Sequence, residues 1–262
     1  MPVPFSMQGR KAIVTGGSAG LGLAIGETFA RAGASVAIVA RGKEALEAAR
    51  VRIAASSAPK VVAISADVGK AADCERVYKE AVAGLGGVDV LVNNAGTSQR
   101  GQFEKISDEL WQHDIDLKLF AAIRLARLAL PAMKAARFGR IINVLNTGAK
   151  APPAEGAPTA VTRAAGMALT KVLAGEGAKH NVLVNGLLVG RIESDQWVRR
   201  HASEGQNTSL EDYYAKMGQS LPMGRLGTAQ EFANAALFLA SDAGSYITGT
   251  AINVDGGLCP VV

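Results

Sequence analysis

Seven short runs of this chain are apolar at almost every position: Ala12–Thr15, Ser35–Ala40, Val61–Ser65, Val88–Val92, Arg140–Val144, Val182–Leu188 and Thr250–Val254. Successive side chains of a strand point to opposite faces, so a run that does not alternate is a strand covered on both sides. Such strands belong to parallel sheets, whose crossover connections lay helices on both faces. The intervening segments have the length and pattern of helices: Leu21–Ala32, Lys43–Ala55, Ala71–Leu85, Asp108–Ala136, Ala160–Ala178 and Ala229–Ser241. Strand–helix alternation of this kind predicts an α/β fold, one doubly wound parallel sheet with helices on both faces. No Pro/Gly/Ser-rich linker, repeat or low-complexity tract divides residues 1–262, which read as a single domain. Aromatic residues make up only 5% of the chain, so aliphatic, alanine and glycine contacts must fill the core.

Composition narrows the function classes. The net charge of +5 is scattered rather than striped, which argues against a nucleic-acid surface. No apolar run approaches the roughly 18 residues of a membrane span, and the opening MPVPFSMQGR lacks the apolar stretch of a secretory leader. The two cysteines, Cys74 and Cys259, stand far apart, which predicts neither a disulfide framework nor a metal site and suits a reduced, cytoplasmic setting. One segment breaks the rhythm. Residues 191–222, after the sixth strand, are polar and carry Trp197, His201, Tyr213 and Tyr214. A long insertion at a strand's carboxyl end is where an open α/β sheet covers its ligand, so this segment is read as a substrate lid.

The first strand runs into Thr15-Gly16-Gly17-Ser18-Ala19-Gly20-Leu21-Gly22 and then a helix. Gly16, Gly20 and Gly22 allow a tight turn, close approach of backbone to a pyrophosphate, and close helix–strand packing. The helix N-terminus adds free N–H groups and a positive dipole for phosphates. The second strand ends Ala40-Arg41. An NAD-selective site places an acid there for the ribose hydroxyls. Ala40 cannot fill that role, whereas Arg41 suits a 2′-phosphate, so NADP(H) is favoured over NAD(H). Asp67-Val68 and Asn94-Ala95-Gly96 follow the third and fourth strands on the same sheet edge.

TGGSAGLG, then DV, then NNAG, each at a strand end, resemble the short-chain dehydrogenase/reductase family, in its 3-oxoacyl-reductase-like branch. GRIINV at 139–144 and the stretch 221–257 are similar to that family's fifth strand and C-terminal third, so the resemblance spans nearly the whole chain. It implies a Rossmann-like fold, a nicotinamide coenzyme, a small-molecule substrate and a homotetramer or homodimer, with no nucleic-acid or membrane partner. It also implies coenzyme contacts from Gly16, Ser18, Gly20, Leu21, Gly22, Arg41, Asp67, Val68, Asn94, Ala95, Gly96, Arg163, Gly190 and Ile192.

The catalytic end departs from the family's Asn, Ser and Tyr-x-x-x-Lys. Matching GRIINV and the helix TAVTRAAGMALTKVLAGEGA puts Asn146 at the serine, Thr159 at the tyrosine and Arg163 at the lysine, while HDIDLKLF puts Asp116 at the asparagine. No tyrosine occurs between Tyr78 and Tyr213, so the pair has not merely slipped in register. Asn146 can donate to a carbonyl oxygen, and Thr159 can donate a hydrogen bond but is a far weaker acid than a phenol. Arg163 is a fixed cation that cannot relay protons. A buried Asp116–Arg163 pair would make the two changes mutually compensating. Three functions remain open: an NADP(H)-dependent oxidoreductase with altered proton management, a coenzyme-binding protein without turnover, and a non-redox enzyme on the same scaffold.

Overall fold

The computed structural model describes residues 5–56, 59–203 and 208–262. The first four residues, on which part of the leader reading falls, and residues 204–207 of the lid segment lie outside them. Seven strands form one sheet in the order β3-β2-β1-β4-β5-β6-β7. They are β1 (Lys11–Thr15), β2 (Ser35–Ala40), β3 (Val61–Ser65), β4 (Val90–Asn93), β5 (Gly139–Asn146), β6 (Val182–Val189) and β7 (Ala251–Val254), and every pairing is parallel. The double coverage expected from the apolar runs is present: β1, β2, β4, β5 and β6 are buried along nearly their whole length.

Helices α1 (Gly20–Arg31), α2 (Lys43–Ala54), α3 (Ala71–Leu85), α4 (Asp108–Ile115), α5 (Ala121–Ala136), α6 (Thr159–Gly177), α7 (Asp195–Ser203), α8 (Leu210–Gly218) and α9 (Ala229–Ala240) complete the described layers. One core cluster packs α1, α2 and α9 on one face around Phe29, Ile25, Ile53 and Phe232. The other packs α3 and α5 on the opposite face around Val77, Leu125, Met133 and Leu91. Ala121, Ala122, Leu125, Ala126, Ala129 and Met133 bury one face of α5 within the subunit.

Two boundaries differ from expectation in ways that matter. The fourth strand begins two residues later, at Val90, and Asp89 at its mouth is tied to β1, accepting from Lys11 N–H and donating to Lys11 carbonyl (2.9 and 2.8 Å). The helix expected over Asp108–Ala136 is interrupted by a π turn at Asp116–Phe120. A π turn widens the helix by one residue and re-aims the side chains that follow, and such turns cluster at functional sites.

The strand order reverses between β1 and β4, and ligands of open α/β sheets bind at the carboxyl edge beside such a reversal. Buried side chains lock that edge. The Thr15 hydroxyl donates to Val92 carbonyl (3.2 Å) and accepts from Asn94 and Ala95 N–H (2.9 and 3.0 Å). Asn93 donates to Asn143 (2.9 Å), which donates to Thr170 on α6 (2.9 Å), so β4, β5 and α6 are held in one register.

Candidate active site

The glycine loop is shaped by space as much as by conformation. Gly16 has φ +68, and a Cβ there would lie 2.7 Å from Asn94 Nδ2. A Cβ on Gly22 would lie 2.1 Å from the Gly16 carbonyl oxygen, so Gly22 exists to let α1 press against the loop. Gly20 differs: its φ is +53, yet nothing lies within 4 Å of where a Cβ would stand. The N-cap of α1 is Ala19, which offers no side-chain cap, and the first turn holds no acid. Its leading N–H groups and positive dipole end therefore face open space, as an anion-binding helix start requires. These features fit a dinucleotide pyrophosphate.

A single cavity of about 740 Å³ runs from that loop across the carboxyl edge. Of the expected coenzyme residues, Gly16, Gly20, Leu21, Asn94, Ala95, Gly96, Arg163, Gly190 and Ile192 line it, while Ser18, Gly22, Arg41, Asp67 and Val68 do not. Asn94 lines the wall, but its amide is engaged structurally, donating to Thr15 carbonyl at 2.8 Å. Val68 is a core residue, 4% exposed, whose carbonyl accepts from Cys74. The Asp67 carboxylate accepts from Gly69 N–H (3.1 Å), which fixes the loop after β3. Arg41 is exposed at the end of β2, and no described residue forms an ion pair with it.

Asn146, Thr159 and Arg163 all line the cavity, as expected. Asn146 ends β5 with its Oδ1 buried and unpartnered. Thr159 opens α6 and is 4% exposed. Arg163, one turn later, donates to Val144 carbonyl at 2.7 Å and lies flat against Gly96, where a Cβ would meet its Nη2 at 2.5 Å. Burial lowers the Arg163 pKa to about 10, with Asp114 opposing the shift.

Asp116 is not part of this group. Its carboxylate accepts from Arg124 (3.1 Å) and Gln112 (2.8 Å) on the outer side of the helix, and the expected Asp116–Arg163 pair does not form. The π turn brings Lys118 inward instead. Lys118 is 6% exposed, ion-paired to the fully buried Asp114, and its Nζ donates to Thr159 Oγ1 at 2.6 Å. Asp114 also accepts from Thr162 Oγ1 at 2.7 Å. Lys118, and not Asp116, is thus the side chain from this turn that reaches Thr159. Sequence reasoning passed over it because aspartate is the closer chemical match to asparagine. The signal available was the pair Asp114/Lys118 at i,i+4 inside an otherwise apolar stretch.

The lid segment forms α7 and α8, rooted where Ile192 bridges Gly227 and Glu193 N–H donates to Gly227 carbonyl (2.9 Å). Arg191, Ser194, Trp197 and Arg200 line the cavity from it. His201 and Tyr213 do not line the cavity: they stack on each other (centroids 5.1 Å), and His201 Nε2 meets Thr208 carbonyl. Tyr214 is also absent from the lining, so neither tyrosine takes the place of the missing phenol. Leu258, Cys259 and Pro260 close another side, a contribution from the chain's end that no motif announced.

The enoyl-(acyl carrier protein) reductase family model matches residues 16–259. The chain is 35% identical over 254 residues to the 3-oxoacyl-[acyl-carrier-protein] reductase of Escherichia coli (strain K12), covering 97% of this chain and 99% of that one. L-sorbose reductase from Gluconobacter frateurii, solved with NADPH and L-sorbose, superposes with a TM-score of 0.94 at 32% identity, covering 99% of this chain and 100% of that one. A 3-oxoacyl (acyl-carrier-protein) reductase from Agrobacterium tumefaciens with NADP bound gives 0.89 at 30% identity, covering 97% of this chain and 95% of that one. A seven-stranded doubly wound sheet with a glycine loop at its switch point defines a dinucleotide-binding scaffold. The chain belongs to the short-chain dehydrogenase/reductase family, in its 3-oxoacyl-reductase-like branch.

Proposed function

We propose that this protein is an NADP(H)-dependent oxidoreductase acting on a small, partly apolar carbonyl, enone, imine or alcohol, at a site that works without the Tyr-x-x-x-Lys pair. The observation that carries the reading is the continuous cavity joining the uncapped α1 N-terminus to Asn146, Thr159 and Arg163. When bound, the coenzyme supplies the hydride. The chain's own residues do the rest. N–H groups of Gly20 and Leu21 would hold the pyrophosphate, Arg41 would pair with the 2′-phosphate, and Asp67 would serve the coenzyme from the loop after β3. Arg163 holds the nicotinamide ribose, and Gly190 and Ile192 bound the nicotinamide. Asn146 donates to the substrate oxygen as charge develops there, an effect worth about 3 kcal/mol for a well-placed donor. Thr159 donates to the same oxygen. The lid residues Trp197 and Ser194 give the substrate one apolar and one polar wall.

The exposed valines Val161 and Val172 on α6 support assembly into a dimer or tetramer. A second reading, coenzyme binding without turnover, is favoured by a single fact: no phenol reaches the place of Thr159. The test has two steps. NADPH binding is first measured by nicotinamide fluorescence. Loss of nicotinamide absorbance is then followed with ketones, enones, quinones and imines. Binding with turnover supports the proposal, binding without turnover on the whole panel supports the second reading, and absence of any NADPH or NADH binding rejects both.

A further inference from the structure

Thr159 stands where a reduced carbonyl needs a proton, and an isolated threonine hydroxyl is a poor source of one at neutral pH. Its surroundings alter that. A hydroxyl has one hydrogen and two lone pairs. Gln99 N–H donates to Thr159 Oγ1 at 2.9 Å, and Lys118 Nζ donates to it at 2.6 Å. With both lone pairs engaged, one of them by a cation, the hydroxyl hydrogen is polarised. No described residue accepts it, and Thr159 lines the cavity, so the hydrogen is left for a substrate oxygen.

We propose that Lys118 is the proton reservoir of this site and acts through Thr159; the proposal rests on the reductase reading above. Once a substrate carbonyl has gained hydride, its oxygen carries the negative charge and takes the Thr159 hydroxyl proton. Thr159 Oγ1 takes a proton from the Lys118 ammonium in the same event, leaving a neutral amine beside Asp114. Solvent water re-protonates that amine through the cavity after the product leaves, so each turnover consumes one hydride and one proton. Running in reverse, the neutral amine accepts the proton of an alcohol through Thr159.

The charged groups facing Lys118 are Asp114 from α4 and Arg163 from α6. Burial and Arg163 lower its pKa to about 8, against the pull of Asp114. An acid of that strength is well matched to work near neutral pH.

The experiment uses the full-length protein with L-sorbose and ethyl acetoacetate as probe carbonyls and NADPH as reductant. In the wild type, kcat/KM for reduction should fall through a single step near pH 8. Lys118→Met should lower kcat by about 10²–10⁴-fold and abolish the step, with NADPH affinity changed less than about threefold. Thr159→Val should do the same, and Thr159→Ser should restore the step. A Lys118→Met enzyme that keeps the step overturns the proposal, because Lys118 would then only anchor Thr159. A second measurement needs no turnover: NMR titration of ¹⁵N-lysine-labelled protein, with Lys118 assigned by its loss in the Met variant. A Lys118 midpoint near 8 supports the proposal, and one above 10 overturns it. Failure of the reductase reading shows separately, as tight NADPH binding with no turnover on any probe.

Discussion

Gly20 and Gly22 sit two residues apart in the same loop, yet the structure assigns them different work, and substitution by alanine should separate the two. At Gly22 a Cβ would lie 2.1 Å from the Gly16 carbonyl oxygen and 2.6 Å from Asn94 Nδ2. Ordinary contact requires a shift of about 1 Å, and neither neighbour is free to give it: Asn94 is clamped to Thr15 carbonyl, and Gly16 N–H donates to Val39 carbonyl at 2.7 Å. Overpacking of this order costs about 1–3 kcal/mol, so Gly22→Ala should lower the melting temperature by several degrees. At Gly20 no atom lies within 4 Å, and the cost is that of a left-handed φ of +53, about 1 kcal/mol. Gly20→Ala should therefore melt close to the wild type. Its methyl group, however, would occupy the space assigned to the pyrophosphate, and NADPH affinity should fall more than about tenfold. Calorimetry and a fluorescence titration on the two variants decide the matter. Equal melting temperatures for Gly22→Ala and wild type, or unchanged NADPH affinity in Gly20→Ala, would refute the division of roles.

Three further outcomes follow from the charges. Arg41→Ala should weaken NADPH about tenfold, the worth of one charge-assisted contact, and leave NADH affinity unchanged; equal losses for both coenzymes would show that Arg41 does not read the 2′-phosphate. Asp114→Asn removes the carboxylate paired with Lys118 and facing Arg163, and urea denaturation should report a loss of about 3–5 kcal/mol. Stability should also rise with pH on the alkaline side. Lys118 keeps its proton up to its ordinary value of 10.5 when unfolded but releases it near 8 when folded, so between those values the unfolded chain binds more protons. Between pH 7.5 and 9.5 this amounts to about 2 kcal/mol, read as the difference between urea curves of wild type and Lys118→Met; a flat difference would mean that the amine stays charged throughout.

Most of the architecture could be read before any coordinates were in hand, because it is dictated by burial. β2 and β3 match the expected Ser35–Ala40 and Val61–Ser65 residue for residue, since each run is apolar throughout its interior and a serine, Ser35 or Ser65, marks one end. The π turn was not legible. Nothing in Asp116-Leu117-Lys118-Leu119-Phe120 departs from helical composition, and the turn forms because tertiary contacts reward it: Asp114 and Lys118 face Thr159 and Thr162 on α6, while Asp116 faces Arg124. The lid was legible as an insertion but not in its orientation. His201 and Tyr213 carry suggestive chemistry, yet they pack on each other, and the less conspicuous Arg191, Ser194 and Arg200 reach the cavity along with Trp197.

The substitutions at this site make sense only as a set. An arginine at 163 keeps a cation beside Gly96 and Val144 but cannot give up a proton at usable pH. A lysine at 118 restores a titratable amine, now approaching residue 159 from the π turn instead of from α6. Two cations this close need a counter-charge, and Asp114, fully buried and also held by Thr162, is the carboxylate that faces both. An amine this near suits a threonine better than a phenol. A phenol at 159 would carry its oxygen several ångströms past the point where Lys118 Nζ and Gln99 N–H now meet the Thr159 hydroxyl. A single Thr159→Tyr change should therefore not recreate the familiar site. It should leave Lys118 paired to Asp114 but without its hydroxyl partner, and only the joint exchange of residues 118, 159 and 163 would return the chemistry to the family's usual arrangement.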